Sequence, residues 1–451
     1  MRKISLFLVL VLLLSCFAGC SEKKTTAQQK DEGEKPAPQI ELTGTVAIEG
    51  EAQPDQVINA QAQVDQADVA FVYEWAVDDQ VLSAFTGASC HVPATAAGKQ
   101  LTVAVKPVDT VAYKSNIVSE AITVGDTTNT KMTMAGLYHD MKILGRTPID
   151  NTGIRTSWPG SGFEIKVNSN GGDLLLGYSA GNNTMPYFCI LVDGQQIDRP
   201  MFASNMVYAI KVPAGEHTVT VFRDSANAPH VPCVLNYIEF DGQILEKPAN
   251  RELYIEVIGD SIACGLGSLG TYTPGVDWKE SEHSASNSFG WYVAEDFNAD
   301  VSIIAKGGIG ALKAVNDKTM VDIYSYVNGF ANQTPYDFAR KPDLVLVELG
   351  ANDGSYDVSE FKPALEYIYK MILDNYGADT KILWVGKNQK FYDCALELAE
   401  AYGDNCHAVL HKYGVSGSGP SIAAAAHPNA EEHRAYADAI TQYIKDNNLL
   451  P

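Results

Sequence analysis

Four short segments of the 451-residue sequence contain the residue types that acyl transfer requires. They offer a serine hydroxyl at Ser261, glycine backbone in Gly307-Gly308-Ile309-Gly310, a side-chain amide at Asn352 and an imidazole at His427. A serine becomes a nucleophile when a neighbouring imidazole accepts its proton. The N–H groups of Ser261 and of the glycine run and the amide of Asn352 can stabilise the oxyanion that forms on the attacked carbonyl. The chemistry that these residues predict is cleavage or transfer of an ester through an acyl-enzyme.

The predicted secondary structure explains how such distant residues could meet. From residue 251 onward, short apolar runs alternate with helical stretches, which predicts a parallel sheet covered by helices on both faces. Ser261, Gly308 and Asn352 each follow one of the apolar runs, and His427 precedes the last predicted helix. Open α/β sheets bind ligands beyond the carboxyl ends of their strands. We therefore expect the four residues to lie along one edge of this sheet.

Two helices of this region are predicted from apolar spacing and capping residues. One begins at Ser359 and ends before Gly377. The last helix begins at Asn429, with Glu432 in the position of a capping-box acid. Its apolar face is predicted to contain Tyr436, Ile440, Tyr443 and Ile444. These two helices should cover the sheet that carries the reactive residues.

The ordered motifs Gly-Asp-Ser, glycine, Gly-x-Asn-Asp and His-Pro-Asn resemble the blocks of the SGNH, or GDSL-type, hydrolases. A closer resemblance is to carbohydrate esterase family 2, which joins a jelly-roll domain to an SGNH domain and deacetylates plant polysaccharides. It covers about residues 135–448 and includes Gly145-Arg146, Trp158, Val192-Asp193-Gly194, Gly215-Glu216-His217 and the run from Ile255 to Ser261. The resemblance implies a three-layer, flavodoxin-like α/β domain over residues 250–451, with Ser261 and His427 catalytic. It implies no metal and no cofactor.

Two positions depart from the pattern of these relatives. Many relatives place an aspartate three residues before the histidine, where it orients the imidazole, but this sequence has Ala424 there. Either a Ser–His dyad works with a backbone carbonyl on Nδ1 of His427, or a carboxylate arrives from elsewhere; we favour the dyad. Relatives often carry serine where Gly307 stands, which leaves Gly307 and Gly308 as alternative oxyanion donors. We choose Gly308.

Upstream of the α/β region the pattern is that of β-structure. Residues 40–125 alternate apolar and polar positions in short runs between turns, which predicts an Ig-like β-sandwich. Residues 132–248 predict a second sandwich, of jelly-roll type, with a hairpin turn at Asp193-Gly194. The first sandwich shows no motif that carries chemistry.

The amino terminus predicts export and a lipid anchor. Two basic residues precede an apolar run of 11 residues, from Ile4 to Leu14, which is too short to span a membrane. Ala18 and Gly19 before Cys20 resemble a bacterial lipobox, so residues 1–19 are predicted to be a signal peptide and Cys20 to be lipidated. An ordinary secretory signal is the alternative. Residues 20–39 are predicted to be a polar tether that holds the folded part off a membrane surface.

Composition limits the partners. Lys and Arg number 33 against 55 Asp and Glu, for a net charge of −22, which disfavours nucleic acid. Neutral acetylated polysaccharide or oligosaccharide is the predicted partner of a monomer, with contact to a membrane only through the lipid. Six cysteines follow Cys20, and their spacing fits neither a zinc nor a redox motif. Disulfides Cys189–Cys233 or Cys394–Cys406 are compatible with export, as are buried thiols.

Other polar and aromatic residues are interpreted as structural. Asp260 is expected to accept hydrogen bonds from loop N–H groups, and Trp158 to lie in the core of the second sandwich. His433 is expected on the exposed side of the last helix. His407 and His411 have the spacing of a helical metal pair, but the residues around them predict a strand.

The function predicted from these features is an exported serine esterase that removes O-acetyl groups from a plant polysaccharide such as xylan or glucomannan. Two alternatives remain open. An O-acetyltransferase acting on a cell-surface glycan would use the same acyl-enzyme. A non-catalytic, glycan-binding surface protein would fit the missing aspartate.

Overall fold

The computed structural model describes residues 39–54, 56–125, 131–180, 185–203, 205–225, 233–271, 273, 279–330, 333–411 and 427–451. The predicted signal peptide, Cys20, most of the predicted tether, and Ala424 lie outside these residues. None of the helices in the described ranges is long and apolar enough to cross a bilayer.

The first region consists of short strands arranged in small sheets around one core. The strands are Ile40–Glu41 (β1), Gly44–Glu49 (β2), Val57–Val64 (β3), Phe71–Val77 (β4), Gln80–Val81 (β5), Ser89–His91 (β6), Gln100–Pro107 (β7), Tyr113–Lys114 (β8), Ile117–Val118 (β9) and Ile122–Thr123 (β10). A sheet built on β4 and β7 and a sheet of order β2-β3-β6 share a buried apolar cluster that includes Trp75. Cys90 is a free, buried thiol in this core.

The second region is an antiparallel network of ten strands. They are Lys131–Thr133 (β11), Met141–Leu144 (β12), Ile149–Asp150 (β13), Gly153–Thr156 (β14), Gly162–Ala180 (β15), Phe188–Val192 (β16), Gln195–Asp198 (β17), Met206–Arg223 (β18), Cys233–Glu239 (β19) and Gly242–Ile244 (β20). The long strands β15 and β18 pair over their lengths. The predicted turn at Asp193-Gly194 is present between β16 and β17, and both residues have positive φ, 52° and 76°.

The third region alternates strands and helices as its sequence predicts. Its strands are Leu253–Gly259 (β21), Ala299–Ala305 (β22), Leu344–Glu348 (β23), Ile382–Gly386 (β24) and Cys406–Leu410 (β25). Its helices are Phe289–Asp296 (α1), Met320–Ile323 (α2), Val358–Tyr376 (α3), Gln389–Tyr402 (α4) and Ala430–Asp446 (α5). Short 3-10 turns occur at Ala94–Ala96, Tyr138–Asp140, Glu280–Glu282 and Ala285–Asn287.

The five strands form a parallel sheet of order β22-β21-β23-β24-β25. This is the 2-1-3-4-5 order of flavodoxin-like sheets. One buried cluster contains apolar residues of α2, α3 and α4, and a second contains those of α1 and α5, so the sheet is covered on both faces. The strands read as unbroken apolar runs because both faces are buried. The loops after β22, β21 and β23 are neighbours at the carboxyl edge.

Buried charge joins the second region to the sheet. Arg146, after β12, is fully buried and its guanidinium lies 3.2 Å from the carboxylate of Glu256 in β21. The hydroxyl of Tyr324 donates to the same carboxylate at 2.7 Å. A buried arginine needs a paired carboxylate to offset its desolvation. The two regions therefore share an ionic contact in their common interior.

Trp158 corrects one sequence-based expectation. Its side chain is fully buried, but it belongs to the cluster that packs α2, α3 and α4 against the sheet, not to the core of the second region. The indole N–H donates to the carbonyl of Val327, 2.7 Å away. The residue lies on a β-pattern segment, and nothing local in the sequence marks its partner 169 residues further on. Trp158 is thus part of the contact between the two regions.

Candidate active site

Ser261 and His427 are in direct contact. Ser261 begins the turn after β21, is 7% exposed, and its Oγ lies 2.8 Å from Nε2 of His427. A hydrogen bond from the hydroxyl requires Nε2 to be unprotonated, which places the imidazole proton on Nδ1. This is the geometry in which an imidazole withdraws the serine proton during attack on a carbonyl.

The position of His427 is set by the start of α5. Two residues after it, Asn429 caps the helix, and its Oδ1 accepts a hydrogen bond from the N–H of Glu432 at 2.8 Å. Such a cap satisfies one of the N–H groups that a helix leaves unpaired at its start. Since α5 packs against the sheet through Tyr436 and Ile440, the cap fixes the point at which the chain delivers the imidazole.

Gly308 lies in a tight turn after β22. Its φ is +84°, a conformation that L-residues rarely adopt and that favours glycine. Among the described residues, the N–H groups of Ser261 and Gly308 donate to no acceptor. Both therefore remain available as donors to a ligand at this edge of the sheet.

Asn352 follows β23 and reaches across to the nucleophile turn. Its Nδ2 donates to Oδ2 of Asp260 at 2.8 Å and to the carbonyl of Ile309 at 2.9 Å. The amide is therefore held between the turn that carries Ser261 and the turn that carries Gly308. The structure thus brings Ser261, His427 and Asn352 into one hydrogen-bonded group that includes Asp260.

Asp260 has the structural role that its sequence position suggests. Its carboxylate is fully buried, and Oδ1 accepts from the N–H of Ile262 at 2.9 Å. The hydroxyl of Ser261 lies 3.5 Å from the same oxygen, a longer contact than the one to His427. The serine hydroxyl therefore donates to His427 and not to Asp260, and Asp260 holds the loops.

Asp353 is a structural residue that the sequence analysis did not single out. It is fully buried, and its carboxylate accepts from the N–H groups of Ala311, Leu312 and Lys313 at 2.8–3.0 Å. A Cβ at Gly310 would lie 2.2 Å from Oδ1 of Asp353, so only glycine allows this approach. The sequence feature that could have indicated this role is an aspartate after a predicted strand, together with a glycine-rich turn after the neighbouring strand. Asp353 fixes the turn that presents Gly308.

The sequence predicts an exposed His433, but the structure buries this imidazole within electrostatic reach of His427. His433 is fully buried, and its Nδ1 accepts from the N–H of Phe289 at 3.2 Å. Burial lowers its pKa from 6.5 to about 3, with a further contribution from the charge of His427. The expectation of exposure was wrong because residue 433 lies one turn before Tyr436 and Ala437 on the buried face of α5.

His283 is another buried imidazole that lies within electrostatic reach of His427. It is 1% exposed, and its Nδ1 accepts from the N–H of Gly267 at 2.8 Å. Burial lowers its pKa to about 3, and His427 adds to the shift. The second region holds this loop, because Arg199 forms an ion pair with Asp224 and donates to the carbonyls of Ser281 and His283. The wall of the site therefore includes a segment anchored outside the α/β region.

The remaining candidates lie elsewhere. His407 is on β25, as the strand interpretation predicts, and His411 stacks on Tyr436 at 4.5 Å. In the described part of the chain, no three His, Cys, Asp or Glu side chains cluster as metal ligands would. The six cysteines within it are free and buried, so Cys189–Cys233 and Cys394–Cys406 are not bridged.

The family model for GDSL-like Lipase/Acylhydrolase proteins matches residues 255–446. The match begins in β21 and ends with α5, so it covers the sheet, its helices and the whole candidate site. The α/β region is thus similar to GDSL-like hydrolases, and the chain is a carboxylic ester hydrolase.

Particular relatives extend this likeness into the second region. The chain is 26% identical over 332 residues to an acetylxylan esterase / glucomannan deacetylase from Cellvibrio japonicus, covering 69% of this chain and 90% of the relative. A solved acetyl xylan esterase from the rumen bacterium Butyrivibrio proteoclasticus is 19% identical, with a TM-score of 0.63 and coverage of 72% and 100%. A family two carbohydrate esterase from Clostridium thermocellum, in complex with cellohexaose, is 22% identical, with a TM-score of 0.60 and coverage of 69% and 100%. At these identities the two structures establish the fold.

The buried imidazole of His433 generates a prediction about pH. Its pKa is lower in the folded chain than in the unfolded chain, so the unfolded chain binds more protons below pH 6.5 and stability falls as the pH falls. Between pH 7.5 and 5 this contribution is about 2 kcal/mol. His433→Asn keeps an acceptor for Phe289 but cannot titrate. We expect thermal unfolding to show a smaller loss of stability over this interval in the variant; equal losses in both proteins would contradict the assignment.

Proposed function

We propose that this chain is an exported serine carbohydrate esterase that removes O-acetyl groups from polysaccharide through an acetyl-enzyme. The observation that carries the proposal is the 2.8 Å contact between Ser261 Oγ and His427 Nε2 at the carboxyl edge of the sheet. Relatives that are an acetylxylan esterase / glucomannan deacetylase and an acetyl xylan esterase support an acetylated xylan or glucomannan as substrate. The net charge of −22 favours a neutral polysaccharide over an acidic one.

The mechanism follows from the contacts of the dyad. His427 takes the proton of Ser261 as the oxygen attacks the acetyl carbonyl, and the sugar oxygen leaves with that proton. Water, activated in turn by His427, then attacks the acetyl-enzyme and releases acetate. The dyad works without the aspartate that many relatives place at position 424. His427 thus carries one proton in each step: from Ser261 to the sugar oxygen in the first, and from water to the departing Ser261 oxygen in the second.

The oxyanion is held by the N–H groups of Ser261 and Gly308 and by the amide of Asn352. The two N–H groups have no acceptor among the described residues. The amide already donates to Asp260 and to the carbonyl of Ile309. In the proposed mechanism the amide N–H that donates to the carbonyl of Ile309 turns to the oxyanion or is shared with it. The oxyanion is the stronger acceptor because it carries a negative charge. Asp260 then keeps the amide oriented during the reaction.

The rest of the chain serves delivery and support in this proposal. Lipidation at Cys20 anchors the exported protein at the bacterial cell surface or membrane, and the segment up to residue 39 acts as a tether. The first region is an Ig-like sandwich that spaces the enzyme from the membrane. The second is a jelly roll that buttresses the α/β domain through Arg146 and Arg199. The enzyme works as a monomer without metal or cofactor.

Acetate release from acetylated xylan, acetylated glucomannan and an acetylated peptidoglycan preparation tests this proposal. We expect the purified protein to release acetate from xylan or glucomannan, and Ser261→Ala to release essentially none, because it lacks the attacking oxygen. Acetyl transfer to an added sugar acceptor without acetate release would favour the acetyltransferase alternative. Glycan binding by both proteins, with no acetate released by either, would favour a binding protein.

The role of Asn352 is tested by its truncation. Asn352→Ala removes one of three oxyanion donors, so we expect a loss of about 2.7–4 kcal/mol of transition-state stabilisation and of about 10²–10³ in kcat. The measurement is the rate of hydrolysis of 4-nitrophenyl acetate, with circular dichroism to show that the variant is folded. A folded variant with near-normal turnover would remove Asn352 from the mechanism.

A further inference from the structure

A second buried carboxyl group lies beneath the nucleophile turn. Glu348 is the last residue of β23 and pairs in register with Gly259 of β21, next to Asp260. Glu348 is 2% exposed and Asp260 is fully buried. The N–H of Asp260 lies 3.4 Å from Oε2 of Glu348, so the two carboxyl groups are close neighbours in the interior. Two carboxyl groups buried side by side are stable together only if one of them carries a proton.

The surroundings of the pair favour the proton on Glu348. Burial raises its pKa well above the usual range, and the neighbouring charge of Asp260 raises it further. Burial raises the pKa of Asp260 only to about 6, because N–H groups and the Glu348 side chain stabilise its charged form. Lys387 is the cation that faces the pair and opposes both shifts, whereas Asp353 raises the pKa of Asp260. From α5, Tyr436 faces both carboxyl groups.

Asp260 connects this proton to the catalytic amide. Its Oδ1 receives the N–H of Ile262, and its Oδ2 receives the amide of Asn352 at 2.8 Å. A neutral Glu348 adds a third donor to the same carboxylate. The orientation of a buried carboxylate depends on all the donors that bond to it. Removing one donor therefore changes the orientation of the Asp260 carboxylate and of the Asn352 amide bonded to it. The side chain of Glu348 thus acts on Asn352 without touching a substrate.

We propose that Glu348 is a positioning residue that works as a neutral hydrogen-bond donor, fixing the Asp260 carboxylate so that the Asn352 amide points at the oxyanion. The inference rests on the proposed function for the role of Asn352. The location of the proton on Glu348 is independent of it. A buried carboxylic acid in this position gives the site a donor without adding a charge beside the nucleophile.

Two substitutions of Glu348 test whether its side chain acts as a hydrogen-bond donor, as a charge or only through its volume. Glu348→Gln keeps the shape and an N–H donor to Asp260, so we expect it to retain most of the wild-type kcat on 4-nitrophenyl acetate. Glu348→Met keeps the volume but has no donor. We expect it to lose about 10²-fold in kcat, the scale on which small displacements of a catalytic group act, with little change in KM. Glu397→Gln, on the exposed face of α4, is the matched control and should match the wild type.

Infrared spectroscopy of the folded proteins supplies a readout besides activity. The wild type should show the band of a protonated carboxyl group at pH 8, where exposed carboxyls are ionised, and Glu348→Gln should lose it. A missing band in the wild type, equal damage in the Gln and Met variants, or normal kcat in Glu348→Met would each overturn the inference. If Glu348→Met does not fold, activity and loss of the band in Glu348→Gln still decide it. An inactive wild type that shows the band would contradict the proposed function and leave the proton on Glu348 established.

Discussion

The buried carboxylate of Asp260 is the interaction on which the geometry of the site depends. Asp260 directly follows β21. Its carboxylate accepts hydrogen bonds from the N–H of Ile262 and from the amide of Asn352, which is 92 residues away in the sequence. A charged group in the interior is tolerated only when its hydrogen-bonding capacity is used. The need to satisfy Asp260 therefore draws the nucleophile turn and the loop after β23 together. Ser261 is the next residue, so the hydrogen bonds that fix Asp260 also fix the position of Ser261.

The site residues were predictable because their motifs directly follow apolar strands. A parallel sheet places the ends of β22, β21 and β23 side by side, so Ser261, Gly308 and Asn352 meet once the strands are recognised. The last helix was also predicted, with Asn429 as its cap. The prediction that His433 is exposed was wrong. Its spacing from Tyr436 and Ile440 places it on the buried face of the helix. Histidine is classed as polar in a sequence pattern, and the pattern does not show the N–H group to which His433 bonds.

Other features depend on contacts that no local pattern reveals. Glu348 lies inside an apolar run, and its partner Asp260 is 88 residues earlier. Trp158 and Arg146 belong to β-pattern segments but are buried against the α/β region. Each of these side chains contacts a partner far away in the sequence, so its environment exists only in the folded molecule. The hydrolase domain is therefore supported by charged and aromatic groups that the second region contributes, among them Arg199 beside the His283 loop.

In the proposed mechanism Ser261, activated by His427, forms a covalent acyl-enzyme. Mass spectrometry of the protein after reaction with an organophosphorus ester, followed by peptide mapping, measures this reactivity directly. We expect one adduct per chain, located on Ser261, absent from Ser261→Ala and formed far more slowly by His427→Ala. Hydrolysis of acetyl esters by a protein that carries no adduct, or that carries it on another residue, would contradict the role of Ser261.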